Sequence, residues 1–162
     1  TGNLPVNPEV CDATGVLTQF VGEFSEKAEA NQLEMVVECP QPPVEIYVDG
    51  RHLWRIIDNL MGNICKYAQP GTRVYVTLEK FHGMVIMTFR NISKDRLKMT
   101  SEELFGRFVR GDSSRNTEGH GLGLSIAKSL TELMHGNLAV QMDGDLFKVI
   151  LSFEEYQEDK KQ

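Results

Sequence analysis

The sequence predicts an α+β fold, a two-layer sandwich in which three main helices cover one face of a mixed sheet of about five strands. Two kinds of pattern lead to this prediction. Three segments carry apolar residues at helical spacing, and several short runs rich in β-branched and aromatic residues are separated by turn signals. Amphipathic helices and half-apolar strands each have one face to bury, and packing them in two layers buries both.

The first helix is predicted to begin after Asp12, a good N-cap residue, and to end near Ala30. Its apolar positions are Val16, Leu17, Phe20, Val21 and Phe24. A strand is predicted over residues 33–38, and three prolines between residues 40 and 43 then exclude regular structure. A short extended piece over residues 44–48 and a second helix over about residues 51–68 follow.

Two β-hairpins are predicted in the second half of the chain. The first spans residues 72–91, with a tight turn at His82 and Gly83. The second spans residues 137–153, with its turn at residues 143–144, an Asp-Gly pair. These four strands account for most of the predicted sheet.

The segment between the hairpins divides into a lid and a helix. Residues 92–118 are predicted to form a long, mobile lid with one apolar island around Phe105 and Phe108. Residues 123–134 carry apolar side chains at helical spacing and predict the third helix.

Composition excludes several function classes. The 162 residues, 41% hydrophobic and 25% charged, suit one globular domain. A formal net charge of −6 argues against a nucleic-acid partner. The cysteines Cys11, Cys39 and Cys65 lie far apart without a CxxC pair, so neither a disulfide framework nor a zinc site is expected. The sequence contains no apolar run long enough to cross a bilayer, and no direct membrane contact is expected.

Both ends of the chain are polar. Residues 1–8 are predicted to be a linker remnant, residues 9–155 the folded domain, and residues 156–162 a polar tail.

The second helix carries the strongest chemical pattern. At about 100° per residue, Asn59, Asn63 and Lys66 fall within about 60° of one another, opposite an apolar face. Asparagine is a mediocre helix former, and amide oxygens suit a cation such as Mg²⁺ that also binds phosphate and water. A solvated polar face would produce the same spacing, so both interpretations remain open at this point.

A glycine-rich run precedes the third helix: Gly119, His120, Gly121, Leu122 and Gly123. Glycines allow the backbone to approach an anion, and the first turn of a helix offers unpaired N–H groups. The run is neither a P-loop nor a dinucleotide fingerprint. A flexible hinge is the alternative interpretation.

Three segments in this order resemble the histidine-kinase branch of the GHKL ATP-binding family, whose fold is called Bergerat. Residues 59–67 resemble the N box of that family, residues 103–108 its F box, and residues 119–123 its second glycine box. The resemblance extends over about residues 44–153. It implies an enzyme that uses ATP and Mg²⁺ and transfers the γ-phosphoryl group to a histidine of a separate dimerisation hairpin.

The resemblance also assigns roles to residues of the second helix. Asn63 would hold Mg²⁺ with assistance from Asn59, Lys66 would reach a phosphate, and Tyr67 would lie against the adenine. The residues of the second glycine box would complete the nucleotide site.

The lid after the F box would contribute positive charge. Arg110 and Arg115 resemble the arginines that approach the γ-phosphate, where phosphoryl transfer depends on charge stabilisation. Phe105 and Phe108 would anchor the lid to the body or to the neighbouring helical domain, and Phe108 is counted with the nucleotide site. Solvent-facing charge and plain core packing are the alternatives for these residues.

The first glycine box departs from the family pattern. Asn91 takes the place of the adenine-reading aspartate, and Ser93 and Asp95 take the places of the two glycines. An amide still accepts a hydrogen bond, but without the charge, which costs on the order of 1 kcal/mol. Weakened nucleotide binding is expected. A pocket filled by Lys94, giving a non-catalytic regulatory module, is an alternative.

A GHKL-type ATPase is the competing enzyme class. Such ATPases carry a glutamate one helical turn before the metal asparagine, where this chain has Asn59, which cannot act as a base. Transfer to a protein histidine is therefore favoured over hydrolysis.

The resemblance further implies partners and a location. The partners would be the phosphoacceptor hairpin of the same parent protein and a response regulator. The histidines His52, His82, His120 and His135 do not lie in such a hairpin, so this chain alone is not expected to autophosphorylate. It would be the cytoplasmic domain of a membrane-anchored bacterial sensor.

Overall fold

The computed structural model describes residues 4–95 and 120–158. The helices within them are α1 (Ala13–Ala30), α2 (Gly50–Tyr67) and α3 (His120–Leu133). The strands are β1 (Glu9–Asp12), β2 (Leu33–Glu38), β3 (Glu45–Val48), β4 (Thr72–Phe81), β5 (Met84–Ile92), β6 (Asn137–Asp143) and β7 (Leu146–Glu154). No helix in this part of the chain is long and apolar enough to span a bilayer.

Five strands form one mixed sheet in the order β2-β4-β5-β7-β6. Only the β2–β4 pair is parallel, and the remaining neighbours are antiparallel. The predicted mixed sheet of about five strands and the three helices are confirmed.

One face of the sheet carries the core. The register aligns Val76 with Phe89, Phe89 with Val149 and Val149 with Val140, and each of these side chains is at most 6% exposed. Alternate residues of the same strands, such as Tyr75 and Arg90, are more exposed. This period-two pattern shows that the helices cover one sheet face.

Both hairpins form where the sequence predicts them. His82 and Gly83 have φ values of 51° and 78°, as a two-residue turn of type I′ requires at both central positions. The second turn lies at Gly144 and Asp145, one residue later than predicted, because Asp143 still pairs with Leu146.

Aspartates cap the first two helices. The Asp12 carboxylate accepts the N–H of Gly15 at 2.9 Å, so α1 begins directly after the predicted N-cap. The Asp49 carboxylate accepts the N–H of Arg51 at 3.0 Å and that of Asn7 at 2.9 Å. Asp49 therefore starts α2 and also holds the N-terminal segment against it.

The first strand was not predicted. β1 pairs antiparallel with β3, joining Cys11 to Ile46 in a separate two-stranded sheet. The four-residue segment has one buried side chain, Cys11, which is too little alternation to reveal a strand from sequence. Tertiary pairing with β3 decides its conformation.

Candidate nucleotide site

The floor of the candidate site is the polar face of α2. The apolar face of this helix is buried, with Leu53, Ile57 and Leu60 each at most 1% exposed. Because that face is buried, the opposite face of α2 points toward solvent. The opposite face carries Asn59, Lys66 and the half-buried Gly62.

A cavity of about 650 Å³ lies over this face. Lys27 of α1 and Asn31, the C-cap of that helix, form one wall, Gly123 of α3 lies at the other, and Lys94 follows the end of β5. The α2 residues that line it are Asp58, Asn59, Gly62, Asn63, Cys65 and Lys66. The structure thus brings together Asn59, Asn63, Lys66 and Gly123, which the sequence placed in one site.

Two polar atoms at the cavity lack a hydrogen-bond partner among the described residues. They are Oδ1 of Asn63, a residue only 6% exposed, and Nδ2 of Asn59. A buried polar group without a partner costs about 1–3 kcal/mol. A carboxamide exchanges its oxygen and nitrogen by a half-turn, so Asn59 can also present an oxygen. Such atoms beside an open cavity fit a polar ligand or cation.

Positive charge surrounds the cavity. Lys27, Lys66 and Lys94 are exposed and line it, against one acidic lining residue, Asp58. Within the described part of the chain, no carboxylate lies within ion-pair distance of these three ammonium groups. The arrangement favours an anionic ligand.

No cluster of three or more His, Cys, Asp or Glu side chains that could hold a metal occurs in residues 4–95 and 120–158. A cation at this site would therefore depend on amide oxygens, ligand phosphate and water. Mg²⁺ accepts such a ligand set.

The segment after β5 is tied to the end of α2. The N–H of Gln69 donates to the Ile92 carbonyl at 2.7 Å, and the N–H of Lys94 donates to the Tyr67 carbonyl at 2.9 Å. Ser93 is buried and accepts the N–H of Asp95 on its hydroxyl at 3.2 Å. These bonds order the segment although both family glycines are absent.

Asn91 lies on the covered face of the sheet, 3% exposed, opposite Phe147 of β7. Its Oδ1 lacks a hydrogen-bond partner among the described residues. Asn91 and Tyr67 lie outside the set of described residues that line the cavity. Lys94 lines the cavity, which remains open beside it.

The glycine run is placed differently from the prediction. α3 begins at His120 and not at Gly123 as predicted, so His120, Gly121 and Leu122 lie with Gly123 in its first helical turn and not in a loop before it. Glycine is a poor helix former, but its full free-energy cost applies only in the interior of a helix. These glycines lie in the first turn, and α3 also packs extensively against α2. A Cβ on Gly123 would lie 3.8 Å from the Asn59 carbonyl, in ordinary contact.

Several predicted site residues lie outside the described residues. They are Phe105, Phe108, Arg110, Arg115 and Gly119. Their assigned roles stay predictions.

Sequence reasoning missed five of the described residues that line the cavity: Lys27, Asn31, Asp58, Gly62 and Cys65. Lys27 lies in the last turn of α1 and Asn31 is the C-cap of that helix, and only the packing of α1 beside α2 brings them to the site. Burial raises the pKa of the Cys65 thiol, and the nearby Lys27 ammonium opposes this shift. Helical spacing could have placed Asp58, Gly62 and Cys65 beside the polar face of α2, whereas no local signal could have identified Lys27 and Asn31.

Comparison with known protein families gives one match over most of the chain. Residues 48–157 match the family described as histidine kinase-, DNA gyrase B-, and HSP90-like ATPase. The sensor histidine kinase RppB of Synechocystis sp. is 31% identical over 147 residues, which cover 88% of this chain and 32% of that protein. The chain therefore spans about a third of the length of this relative.

Solved structures share the fold. The catalytic domain of histidine kinase ThkA in a nucleotide-free form superposes with a TM-score of 0.78 at 18% identity, covering 92% of this chain and 96% of that one. ThkA in complex with response regulator protein TrrA gives a TM-score of 0.76 at 16% identity, covering 93% of this chain and 42% of that one.

Proposed function

The chain belongs to the histidine kinase-, DNA gyrase B- and HSP90-like ATPase family, and from this membership we propose that it supplies the γ-phosphoryl group of ATP to a protein histidine. It is an ATP-binding catalytic domain of the sensor histidine kinase type. The acceptor would lie on a dimerisation hairpin elsewhere in the parent protein. The observation that carries the proposal is the cavity over α2, because its floor includes the buried Oδ1 atom of Asn63, which has no hydrogen-bond partner among the described residues.

Asn63 and Asn59 would hold the Mg²⁺ of the bound nucleotide, because both carry a buried amide atom without a partner among the described residues. The ion would neutralise charge on the phosphates. Lys66 would contact a phosphate directly, since its ammonium group is exposed on the same face. The N–H groups in the first turn of α3, at His120, Gly121, Leu122 and Gly123, would face the anion with the positive end of the helix dipole.

The base would lie toward the end of α2, beside Tyr67 and above Asn91. This direction is the one that the resemblance to the family implies, and it is supported by the bond from the Lys94 N–H to the Tyr67 carbonyl, since Lys94 lines the cavity. Arg110 and Arg115 of the predicted lid segment would approach the γ-phosphate, and Phe108 would anchor that segment beside the nucleotide.

Phosphoryl transfer to a histidine is favoured over hydrolysis of ATP because α2 carries no general base one turn before Asn63. The residue one turn before Asn63 is Asn59, whose amide has no proton affinity suited to activating water. The chain would therefore position ATP and leave the nucleophile to the acceptor histidine. The relatives RppB and YvrG are sensor histidine kinases, and they give no support to a non-catalytic module.

The remaining parts of the proposal concern the parent protein. Residues 9–155 would form the catalytic domain, between a linker in residues 1–8 and a tail in residues 156–162. The parent would be a membrane-anchored bacterial sensor with this domain in the cytoplasm, and a response regulator would receive the phosphoryl group. The chain alone would not autophosphorylate.

The test is phosphoryl transfer in trans. The purified chain is mixed with radiolabelled ATP, Mg²⁺ and the phosphoacceptor hairpin of the parent, and acid-labile label on the hairpin is measured. Labelled hairpin is the expected result, and Asn63→Ala should remove it. A hairpin with its histidine replaced by glutamine is the matched control.

Two other outcomes would contradict the proposal. Rapid release of inorganic phosphate without labelled hairpin would indicate an ATPase. Nucleotide binding with neither product would indicate a regulatory module.

A further inference from the structure

The wall that α1 contributes to the cavity carries a lysine. We propose that Lys27 is a second phosphate-binding lysine, which acts with Lys66 on the polyphosphate chain of the nucleotide. The inference rests on the proposed function. It adds a residue from a helix that contains none of the sequence motifs.

The geometry of α2 places Lys27 along one edge of the groove. At about 100° per residue, Cys65 and Asp58 lie at one edge of the polar face, Gly62 and Lys66 in the middle, and Asn63 at the edge near α3. Lys27 lies at the first edge, close enough to Cys65 to affect the pKa of its thiol. A ligand on the Gly62 backbone would lie between Lys27 and α3.

The Lys27 side chain is held at this edge by an aromatic ring. Its Nζ atom lies 5.8 Å from the ring centroid of Phe24, one turn earlier on α1. This is within the range of a cation–π contact. The ammonium group is therefore positioned at the groove, and its exposure leaves its hydrogen atoms available to a ligand.

The charge that lines the groove is positive, opposite in sign to the net charge of the chain. The chain as a whole carries a formal charge of −6, yet three lysines and one aspartate line the cavity. Among the residues described, Lys27 has no carboxylate within ion-pair distance. A magnesium-nucleotide complex retains negative charge, which Lys27 would meet from the side opposite Asn63.

A purely structural role for Lys27 makes a different prediction. Lys27 lies in the last turn of α1, where a positive charge stabilises the helix dipole. That role would change the free energy of unfolding, and it would alter binding only through the fraction of folded chain, which affects every ligand equally. It would not discriminate between ligands with and without phosphates.

The experiment compares magnesium-ATP with adenosine on the intact chain. Binding of magnesium-ATP is measured by calorimetry, and adenosine by competition, for wild type, Lys27→Met and Lys27→Arg. Lys80→Met is the matched control, because Lys80 is an exposed lysine that pairs with Glu155 at 3.4 Å and does not line the cavity.

We expect Lys27→Met to raise the Kd for magnesium-ATP by about three- to tenfold, the range for one exposed charge contact, and the Kd for adenosine by less than about twofold. Lys27→Arg should restore ATP binding, and Lys80→Met should match wild type. Added salt should narrow the difference between wild type and Lys27→Met.

Equal Kd values for magnesium-ATP in wild type and Lys27→Met would overturn the role of Lys27 and leave the proposed function intact. Equal weakening of ATP and adenosine would likewise overturn it in favour of a structural role. Absence of magnesium-ATP uptake by wild type would overturn the proposed function itself.

Discussion

The backbone N–H of Lys94 donates to the carbonyl oxygen of Tyr67 at 2.9 Å, so the segment after β5 is fastened to the last turn of α2. An isolated β-bridge between Ala68 and Ser93 lies beside this bond. These contacts order a segment in which Ser93 and Asp95 take the places that the family pattern gives to glycines. They leave Asn91, at the head of the segment, buried under the helices.

Asn91→Asp should strengthen ATP binding. A carboxylate accepts a charge-assisted hydrogen bond from the adenine amino group, which contributes on the order of 1 kcal/mol more than an amide does. We expect the Kd for magnesium-ATP, measured by calorimetry, to fall by about fivefold, while Asn91→Ala should raise it. An unchanged Kd in both variants would show that Asn91 does not contact the base.

Asn63→Ala should abolish nucleotide binding without destabilising the fold. Asn63 Oδ1 has no partner among the described residues, so its removal takes away an unpaired buried polar atom at little cost to the fold. We expect magnesium-dependent nucleotide binding to be lost, and the free energy of unfolding to change by less than about 1 kcal/mol.

Chemical denaturation of the unliganded chain measures the second quantity. Leu60→Ala, on the buried face of the same helix, is the contrasting variant, and should cost about 2–5 kcal/mol. If Asn63→Ala destabilised the unliganded chain as much as Leu60→Ala, Asn63 would be a structural residue.

Stability should depend on pH through Asp49. The hydrogen bond from the Asn7 backbone N–H, followed by those from Arg51 and His52, lowers the pKa of this carboxyl below its ordinary value of 3.8, although burial opposes the shift. A lowered folded-state pKa means that the stabilisation is fully present above pH 3.8. It is lost as the pH falls through the folded-state pKa.

Urea denaturation between about pH 6 and pH 2.5 would measure this dependence. Asp49→Asn keeps an oxygen acceptor for the cap and should flatten the acid limb of the stability curve. Asp49→Ala should cost about 2 kcal/mol at neutral pH, because the cap and the bond to Asn7 are both lost. Asp58→Asn, on the exposed face of α2, controls for the loss of one charge. If the free energy of unfolding of Asp49→Asn fell with decreasing pH as steeply as that of wild type, Asp49 would not be the group responsible for the pH dependence.

Two glycines should respond oppositely to alanine. A Cβ on Gly136 would lie 2.6 Å from Cδ1 of Phe153 and 2.8 Å from the Ser152 carbonyl, and the backbone oxygen cannot move aside. Gly136→Ala should destabilise the fold by about 2–3 kcal/mol. A Cβ on Gly62, inside α2, would meet no atom within 4 Å.

Gly62→Ala should therefore stabilise the unliganded chain by about 0.5–1 kcal/mol, because alanine is the better helix former. Thermal or urea unfolding of the two variants beside wild type tests the pair. Similar destabilisation by both substitutions would mean that close packing does not distinguish the two positions.

The sequence by itself determined the main elements of the fold. Asp12 and Asp49 cap helices whose apolar spacing is local, and His82 and Gly83 specify a turn by their own backbone preferences. The polar face of α2 could also be predicted from the sequence, because helical periodicity alone places Asn59, Asn63 and Lys66 together. Each of these signals lies within a few residues of the structure it predicts.

Tertiary structure decided what depends on contacts between distant segments. β1 is a strand because β3 pairs with it, and α3 begins at His120, within a glycine-rich run that local propensity assigns to a loop. Lys27 reaches the cavity over α2 because α1 packs beside α2, and Lys94 reaches it because its backbone bonds to Tyr67. Packing and hydrogen bonding over such separations leave no periodic trace in the sequence, so Lys27 could be assigned to the site only from the folded chain.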